Sequence, residues 1–321
     1  MAKTKVALVV DVKNWAFDNI AQQIKLYLAD TFEIEIIYPL ENFPDFHHFY
    51  TYLLTNNFKI IHFFWRPHLK NFLNYQFLKE LPINFEKVLV TLAQTAITTS
   101  IYDHLFLESE FIDSYKPLLL NVVDKYTVSS QKLEKIYSNQ YPASLPNMVI
   151  QDGVNLSLFH QQKDAQVLKN TKKKLVIGWA GNSKWGKNDQ DSKGLHTIIK
   201  PAIQNLINKG YDISINFADR NVRFIPLVEM NDYYHKIDVY VCASDIEGTP
   251  NPVLEAMACG VPVVSTDVGI VPEVFGPLQK NFIFDRTTSA LEKKLEELLH
   301  SSSLRQHLSK ENLVRIKQFT R

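Results

Sequence analysis

Two glutamates separated by seven residues, Glu247 and Glu255, bracket the segment of this sequence with the most evident chemistry, Glu247-Gly-Thr-Pro-Asn-Pro-Val-Leu-Glu255. Asn251 is a good N-cap and Pro252 suits a first helical position, so a helix is predicted over Pro252–Cys259, closed by Gly260 as a left-handed cap. N–H groups at such a start, here those of Val253 and Leu254, combine with the helix dipole to seat a diphosphate. Glu255 lies in the first turn, where its carboxylate can accept hydrogen bonds from vicinal hydroxyls such as those of a ribose. Glu247 precedes the loop and stands beside whatever the diphosphate carries. In isolation, a capped core helix with two solvated glutamates would read the same way.

Other residues offer charge near this segment. Lys193 and Lys184 lie in a glycine-bearing loop region after an apolar strand, and Arg220 and Arg223 follow the next strand. Asp189-Gln-Asp191 has the form of a metal-binding acidic pair, but a charged loop is the simpler reading and no metal is expected. His62 sits inside an apolar strand, where a satisfied core histidine is the commoner outcome.

The elements that position these residues alternate in type. Val6–Val12, Glu33–Tyr38, Lys59–Trp65 and Lys87–Leu92 read as strands, with the helical stretch Asn14–Ala29 among those between them. Tyr126–Ser129 and Asn147–Gln151 complete the first half. The second half repeats the scheme. Its strands are Lys174–Trp179, Asp212–Ala218, Val239–Ala243 and Val261–Ser265. Its helices are Leu195–Asn208, Met230–His235, Thr288–His300 and a last one from about Ser303. Alternation of this kind implies parallel sheets covered on both faces, with ligands at the carboxyl ends of the strands. The polar stretch Gln151–Lys173 is the expected linker.

Composition separates the halves. All ten glycines lie at or after Gly153, whereas 25 of the 38 aromatic residues precede residue 151. Glycine lets a backbone approach a phosphate closely, so a phosphate loop belongs to the second half. The aromatic first half suits stacking on a sugar ring or an apolar acceptor, or simply an aromatic core. A net charge of +1 gives no reason to expect a nucleic-acid partner. Cys242 and Cys259 sit in apolar runs and read as buried thiols of a reducing compartment. No stretch approaches the roughly 20 apolar residues of a membrane helix, and Met1–Val10 is too short for a signal peptide. The expected location is the cytoplasm, with room for peripheral contact at the inner face of the membrane.

Asp238-Val-Tyr-Val-Cys-Ala-Ser244, the Glu247–Glu255 segment and Ala256-Met-Ala-Cys-Gly-Val-Pro-Val-Val-Ser-Thr-Asp-Val-Gly-Ile-Val-Pro-Glu273 together closely resemble the donor-site signature of the retaining family 4 glycosyltransferases of the GT-B fold. Gln151-Asp-Gly-Val-Asn-Leu-Ser-Leu-Phe159 looks like that family's interdomain segment. Lys174-Leu-Val-Ile-Gly-Trp-Ala-Gly181 with Lys193-Gly194 looks like the first strand and loop of its donor domain. The resemblance covers residues 120–300 well and the first 120 in outline.

It implies an α/β protein of two Rossmann-like domains, their parallel sheets facing a cleft whose closure excludes water. Residues 1–155 would bind the acceptor and 156–305 the nucleotide sugar, with 306–321 packing back on the first domain. Glu255 would hold the ribose and Glu247 the donor sugar. Gly181, Asn182, Arg220 and the run Gly248, Thr249, Pro250, Asn251, Val253 and Leu254 would line the donor. Lys193 matches one of the family's two leaving-group cations; the usual arginine is missing where Asn182-Ser183-Lys184 stands, so Lys184 takes that place. Asn14, Trp15, Trp65, Arg66 and Gln94 are the acceptor-side candidates. Gln94 occupies the place, after a fourth strand at Lys87–Leu92, where relatives carry a histidine. The implied reaction is sugar transfer with retention, from a nucleotide diphosphate-sugar co-substrate to a glycan or lipid-linked acceptor, in surface polysaccharide or lipopolysaccharide synthesis. No further cofactor is expected. A nucleotide-sugar epimerase of the same architecture, and a non-catalytic sugar-nucleotide-binding subunit, remain as alternatives.

Overall fold

A computed structural model describes residues 3–104, 122–162, 174–185 and 190–320. The chain forms two compact units, Met1–Ile150 and Gln151–Arg321. The division falls a few residues before the expected boundary at residue 155. The stretch read as a linker is docked on the second unit as far as it is described. Val154 N–H donates to the Phe319 carbonyl at 2.9 Å, and His160 N–H to Asn231 Oδ1 at 3.1 Å.

The first unit carries β1 (Thr4–Val9), β2 (Phe32–Ile37), β3 (Ile60–Phe63), β4 (Ala96–Ile101), β5 (Lys125–Val128) and β6 (Met148–Val149). All pairings are parallel, in the order β2-β1-β3-β4-β5-β6. In β1 successive residues feed different cores. Ala7 and Val9 pack with Phe49, Tyr50 and Phe63, whereas Val6, Leu8 and Val10 pack with Ala21 and Phe64. A strand buried on both faces shows no polar alternation, which is why it reads as a continuous apolar run.

One expected strand is a helix. Lys87–Leu92 lies within the helix Phe85–Ala93, started by Asn84, whose side chain accepts from the N–H groups of Glu86 and Lys87 at 2.9 and 3.3 Å. Its apolar run does not mark burial: Val88 is buried, but Leu89 and Val90 are each 50% exposed. The fourth strand begins only at Ala96.

The second unit carries β7 (Leu175–Gly181), β8 (Ile213–Asp219), β9 (Val239–Cys242), β10 (Val263–Thr266) and β11 (Ile283–Phe284), ordered β11-β10-β9-β7-β8 and parallel. In both sheets the strand order reverses beside the first strand, between β1 and β3 and between β7 and β9. Such switch points open a crevice at the carboxyl ends of the strands, where ligands bind.

The last helix, Ser302–Arg315, was expected to return to the first domain. Its hydrogen bonds hold it to the second unit. Asn312 Nδ2 donates to the Val261 carbonyl and to Gln279 Oε1, Glu311 accepts from the N–H groups of Leu278 and Gln279, and Arg315 reaches the Glu273 carbonyl. Asn312 is fully buried, so this helix completes the second core.

The loop after β9 is fastened from several sides. Thr266 Oγ1 donates to the Ser244 carbonyl at 2.6 Å, Asp245 N–H to the Ser192 carbonyl at 2.9 Å, and Ile270 N–H to the Gly248 carbonyl at 3.0 Å. Gly269 has φ +47°, and a Cβ there would stand 1.9 Å from the Gly248 oxygen. Gly269→Ala therefore combines left-handed strain with a backbone collision. It is expected to cost about 2–3 kcal/mol or more, read as a lower urea midpoint.

Candidate functional site

The second unit's switch point gathers the donor-side candidates. β9 delivers the buried Ser244, and three residues later Glu247 turns back so that its Oε1 accepts from Ser244 Oγ at 2.7 Å. Lys193 Nζ donates to the same oxygen at 2.5 Å, both side chains being about one-sixth exposed. The two residues expected to meet the sugar and the leaving group are thus one ion pair. Lys193 also lies 4.3 Å from the ring centre of Trp185, on the loop after β7. A cation over an aromatic face gains electrostatically without losing its charge.

Lys193 is held in place from behind. Gly194 has φ +67°, and a Cβ there would come within 2.5 Å of the Ala243 oxygen, so the turn can lie against β9 only as glycine. A π-helical turn, Leu195–Ile199, follows and continues into the helix Lys200–Asn208. Asp191 caps that start. Its carboxylate accepts from the N–H groups of Leu195, His196 and Thr197 at 3.1, 2.6 and 2.7 Å. This occupies one member of the acidic pair as a helix cap; Asp189 lies outside the described residues. Arg286 ties the region together, donating to the carbonyls of Ala243 and Asp191.

The helix start expected to seat a diphosphate differs in detail from expectation. The helix is Asn251–Ala258, with Pro250 at the N-cap and Asn251 as its first residue, because the chain turns one residue earlier. No side chain caps it at Pro250. Val253 N–H is taken by the Pro250 carbonyl at 2.8 Å, so that amide does not face a ligand. The side chains of Val253 and Leu254 are fully buried in the core. Thr249 Oγ1 is buried with no hydrogen-bond partner among the described residues, within the loop expected to meet the donor. Glu255 is half-buried, and its Oε2 accepts from Tyr234 OH at 2.7 Å. Burial, aided by the Glu255 charge, pushes the Tyr234 hydroxyl well above its ordinary pKa, so it stays a donor that orients the carboxylate.

The loop after β7 is built on Asp219. Ser183 N–H donates to Asp219 Oδ1, and Asn221 Nδ2 donates to Asn182 Oδ1 at 2.6 Å. Arg220 N–H bonds the Gly181 carbonyl at 2.9 Å, while its guanidinium lies 5.4 Å from the Phe224 ring centre. Lys184 has an exposed side chain, and its N–H donates to Asn182 Oδ1. The structure joins Lys193 to Glu247 but leaves Lys184 on the surface of its loop. Ser244, Trp185 and Tyr234 were missed from sequence. Ser244 directly follows β9 and was within reach of motif reading. Tyr234 is 21 positions from Glu255 and had no local signal.

In the first unit, Asn14 takes a left-handed φ of +61°, with its N–H on Asp18 Oδ2 at 2.7 Å. Trp15 and Trp65 are half-buried residues that precede helices after β1 and β3. Two acceptor-side candidates are displaced. Arg66 is 5% exposed and held in a buried pair with Asp103 and a hydrogen bond to Tyr137 OH, so it is structural. Gln94 ends the helix Phe85–Ala93 and precedes β4, at the amino end of the sheet and away from its ligand edge. The residues that do follow β4 are Tyr102, Asp103 and His104. A histidine therefore stands after the true fourth strand, and its apparent absence came from taking a helix for that strand. His62 is a satisfied strand residue. Thr98 Oγ1 and Ser100 Oγ lie 2.9 and 3.2 Å from its two ring nitrogens, and burial lowers its pKa to about 4.

The two-unit α/β architecture is that of the GT-B fold. It superposes on a sucrose-phosphate synthase from Thermosynechococcus elongatus with a TM-score of 0.68 at 15% identity, covering 99% of this chain and 95% of that one. Anabaena HepE, in complex with UDP and glucose, gives 0.64 at 12% identity, covering 99% and 95%. Residues 217–313 match the family model of the glycosyl transferases group 1. TuaC of Bacillus subtilis (strain 168), named as a glycosyltransferase of teichuronic acid biosynthesis, is 34% identical over 112 residues, 35% of this chain. The match spans 27% of TuaC, about a quarter of that protein's length.

Arg66→Met tests the reassignment of that residue. Removing one partner of a buried ion pair costs about 3–5 kcal/mol. A lower urea midpoint is expected. An unaltered midpoint would return Arg66 to the list of ligand contacts.

Proposed function

We propose that this protein is a retaining glycosyltransferase that moves a sugar from a nucleotide diphosphate donor to a glycan or glycolipid acceptor in surface polysaccharide synthesis. The observation that carries this reading is the Lys193–Glu247 pair, set with Ser244 at the switch point beside the helix that begins at Asn251. The family match, over residues 217–313, covers Ser244, Glu247 and that helix. Polysaccharide synthesis rests on the name of TuaC, and a uridine diphosphate donor on HepE, whose structure holds UDP and glucose.

In the proposed reaction the bond between the anomeric carbon and the phosphate oxygen breaks, and charge builds on the diphosphate. Lys193 is a fixed cation at that point, and fixed cations stabilise such a transition state because they need not reorganise. Glu247 holds hydroxyls of the transferred sugar, and Glu255, oriented by Tyr234, holds the ribose. The acceptor oxygen bonds to the same face of the anomeric carbon while its proton passes to the leaving phosphate oxygen. This route needs no protein base and no metal. Lys184 and Arg220 supply further charge only if their loop closes over the phosphates.

A thermal-shift panel of nucleotide sugars identifies the donor, since binding adds RT ln(1 + [L]/Kd) to stability. With that donor, Lys193→Ala and Glu247→Ala are each expected to lower kcat by about 100-fold or more with nucleotide affinity largely kept. Glu255→Ala is expected to weaken nucleotide binding by about tenfold or more, the scale of a hydrogen bond to a charged group. Parent-like turnover in all three variants would refute the assignment. Interconversion of the nucleotide sugar without an acceptor would show an epimerase instead.

A further inference from the structure

We propose that Asp11 is a residue through which the first unit recognises the acceptor, by taking a hydrogen bond from a hydroxyl of a neutral sugar ring. The inference rests on the transferase reading and names the other substrate of that reaction.

Asp11 lies just past the end of β1, at the β1/β3 switch point. Val10 N–H still bonds the Ile37 carbonyl, and Phe64 N–H the Val9 carbonyl, so the ladder holds up to Asp11. Continuing the register of Val9 with Phe63 by two residues sets Asp11 level with Trp65. Trp15 follows on the same loop. After β4, the ring of Tyr102 packs against Phe17 at 5.0 Å between centres. The ligand edge of this sheet thus combines a carboxylate with half-buried aromatic residues. A sugar presents the complementary pair, a C–H face that rests on a ring and hydroxyls that donate.

Asp11 Oδ1 is buried and has no hydrogen-bond partner among the described residues. Buried polar atoms are nearly always bonded, so an exception calls for a ligand or another cause. Asp18 provides the internal contrast. It is buried as a whole residue, where Asp11 is half-buried, and both its oxygens are filled: Oδ1 by Tyr38 OH at 2.6 Å and Gln22 Nε2 at 3.1 Å, Oδ2 by Asn14 N–H at 2.7 Å. Asp18 builds the loop, whereas Asp11 keeps an acceptor atom in reserve. Burial, with a smaller effect of the Asp18 charge, raises the Asp11 pKa against the backbone N–H groups of Val12 and Asp11. The neighbouring Asp18 carboxylate disfavours an anionic ligand, and a neutral hydroxyl satisfies the oxygen without adding charge.

The test uses the full chain, the nucleotide sugar that gives the largest thermal shift, and p-nitrophenyl hexosides as surrogate acceptors. Hydrolysis of the donor by water, measured alongside, reports the donor half alone. Asp11→Asn and Asp11→Leu are expected to raise the KM for the hexosides, the leucine variant by about tenfold or more, with donor hydrolysis and donor affinity unchanged. Parent-like acceptor KM in both variants would overturn the inference and leave the transferase reading standing. So would an equal loss of hydrolysis and transfer, the mark of a structural residue. Should Asp11→Leu fail to fold, the asparagine variant decides alone. A parent protein that neither hydrolyses nor transfers any nucleotide sugar overturns the transferase reading and this inference together.

Discussion

The candidate donor site depends on the close approach of two backbone segments, the loop after β9 and the turn after β10. Ile270 N–H bonds the Gly248 carbonyl, and the gap between the chains is so narrow that Gly269 can carry no Cβ. That contact, with the Thr266 hydroxyl on the Ser244 carbonyl, sets the path of the chain from β9 to the helix at Asn251. Glu247 lies on this path, so its carboxylate is positioned by backbone geometry before any ligand arrives. Gly194 plays the same part on the other side, letting the turn that bears Lys193 lie against Ala243.

Once the two turns are fixed, the electrostatics follow. Glu247 is matched by a cation and by the Ser244 hydroxyl, all close to one carboxylate oxygen. A partly buried carboxylate without such partners would be costly, and the lysine equally so without its acid. The pairing also fixes the lysine at the switch point, where the proposed reaction needs a cation. Glu255 has a separate partner in Tyr234. The two glutamates are therefore independently oriented, which suits one to a sugar and the other to a ribose.

The first unit follows the same strand order but spends its polar groups differently. Arg66, Asp103 and Tyr137 form a buried cluster that braces the carboxyl ends of β3 and β4, and Asp18 braces the loop after β1. The same edge of the sheet also carries Asp11, Trp15, Trp65 and His104. That set is more aromatic than the one around Glu247 and Lys193 in the second unit.

Much of this was legible in the chain because it is local. The alternation of strands and helices, the helix Met230–His235 and the helix Thr288–His300 follow from period and caps, and the structure has them at the stated residues. The Glu247–Glu255 spacing marks its segment because a loop and a helix start are only a few residues long. Local signals failed where two structures share one pattern. Lys87–Leu92 is apolar and partly β-branched, as a strand would be, yet Asn84 caps it as a helix, and Gln94 was thereby put in the place that belongs to the residues after β4. They failed also wherever partners are far apart in sequence. The union of Lys193 with Glu247 across 54 positions, of Arg66 with Asp103 and of Tyr234 with Glu255 arises only when parallel strands bring distant loops to one edge. The sequence by itself determined which residues carry charge, where helices can start and where glycine allows a close approach. Tertiary structure decided which charges meet, because the free energy of pairing depends on distance and burial, and neither is written in the spacing of residues along the chain.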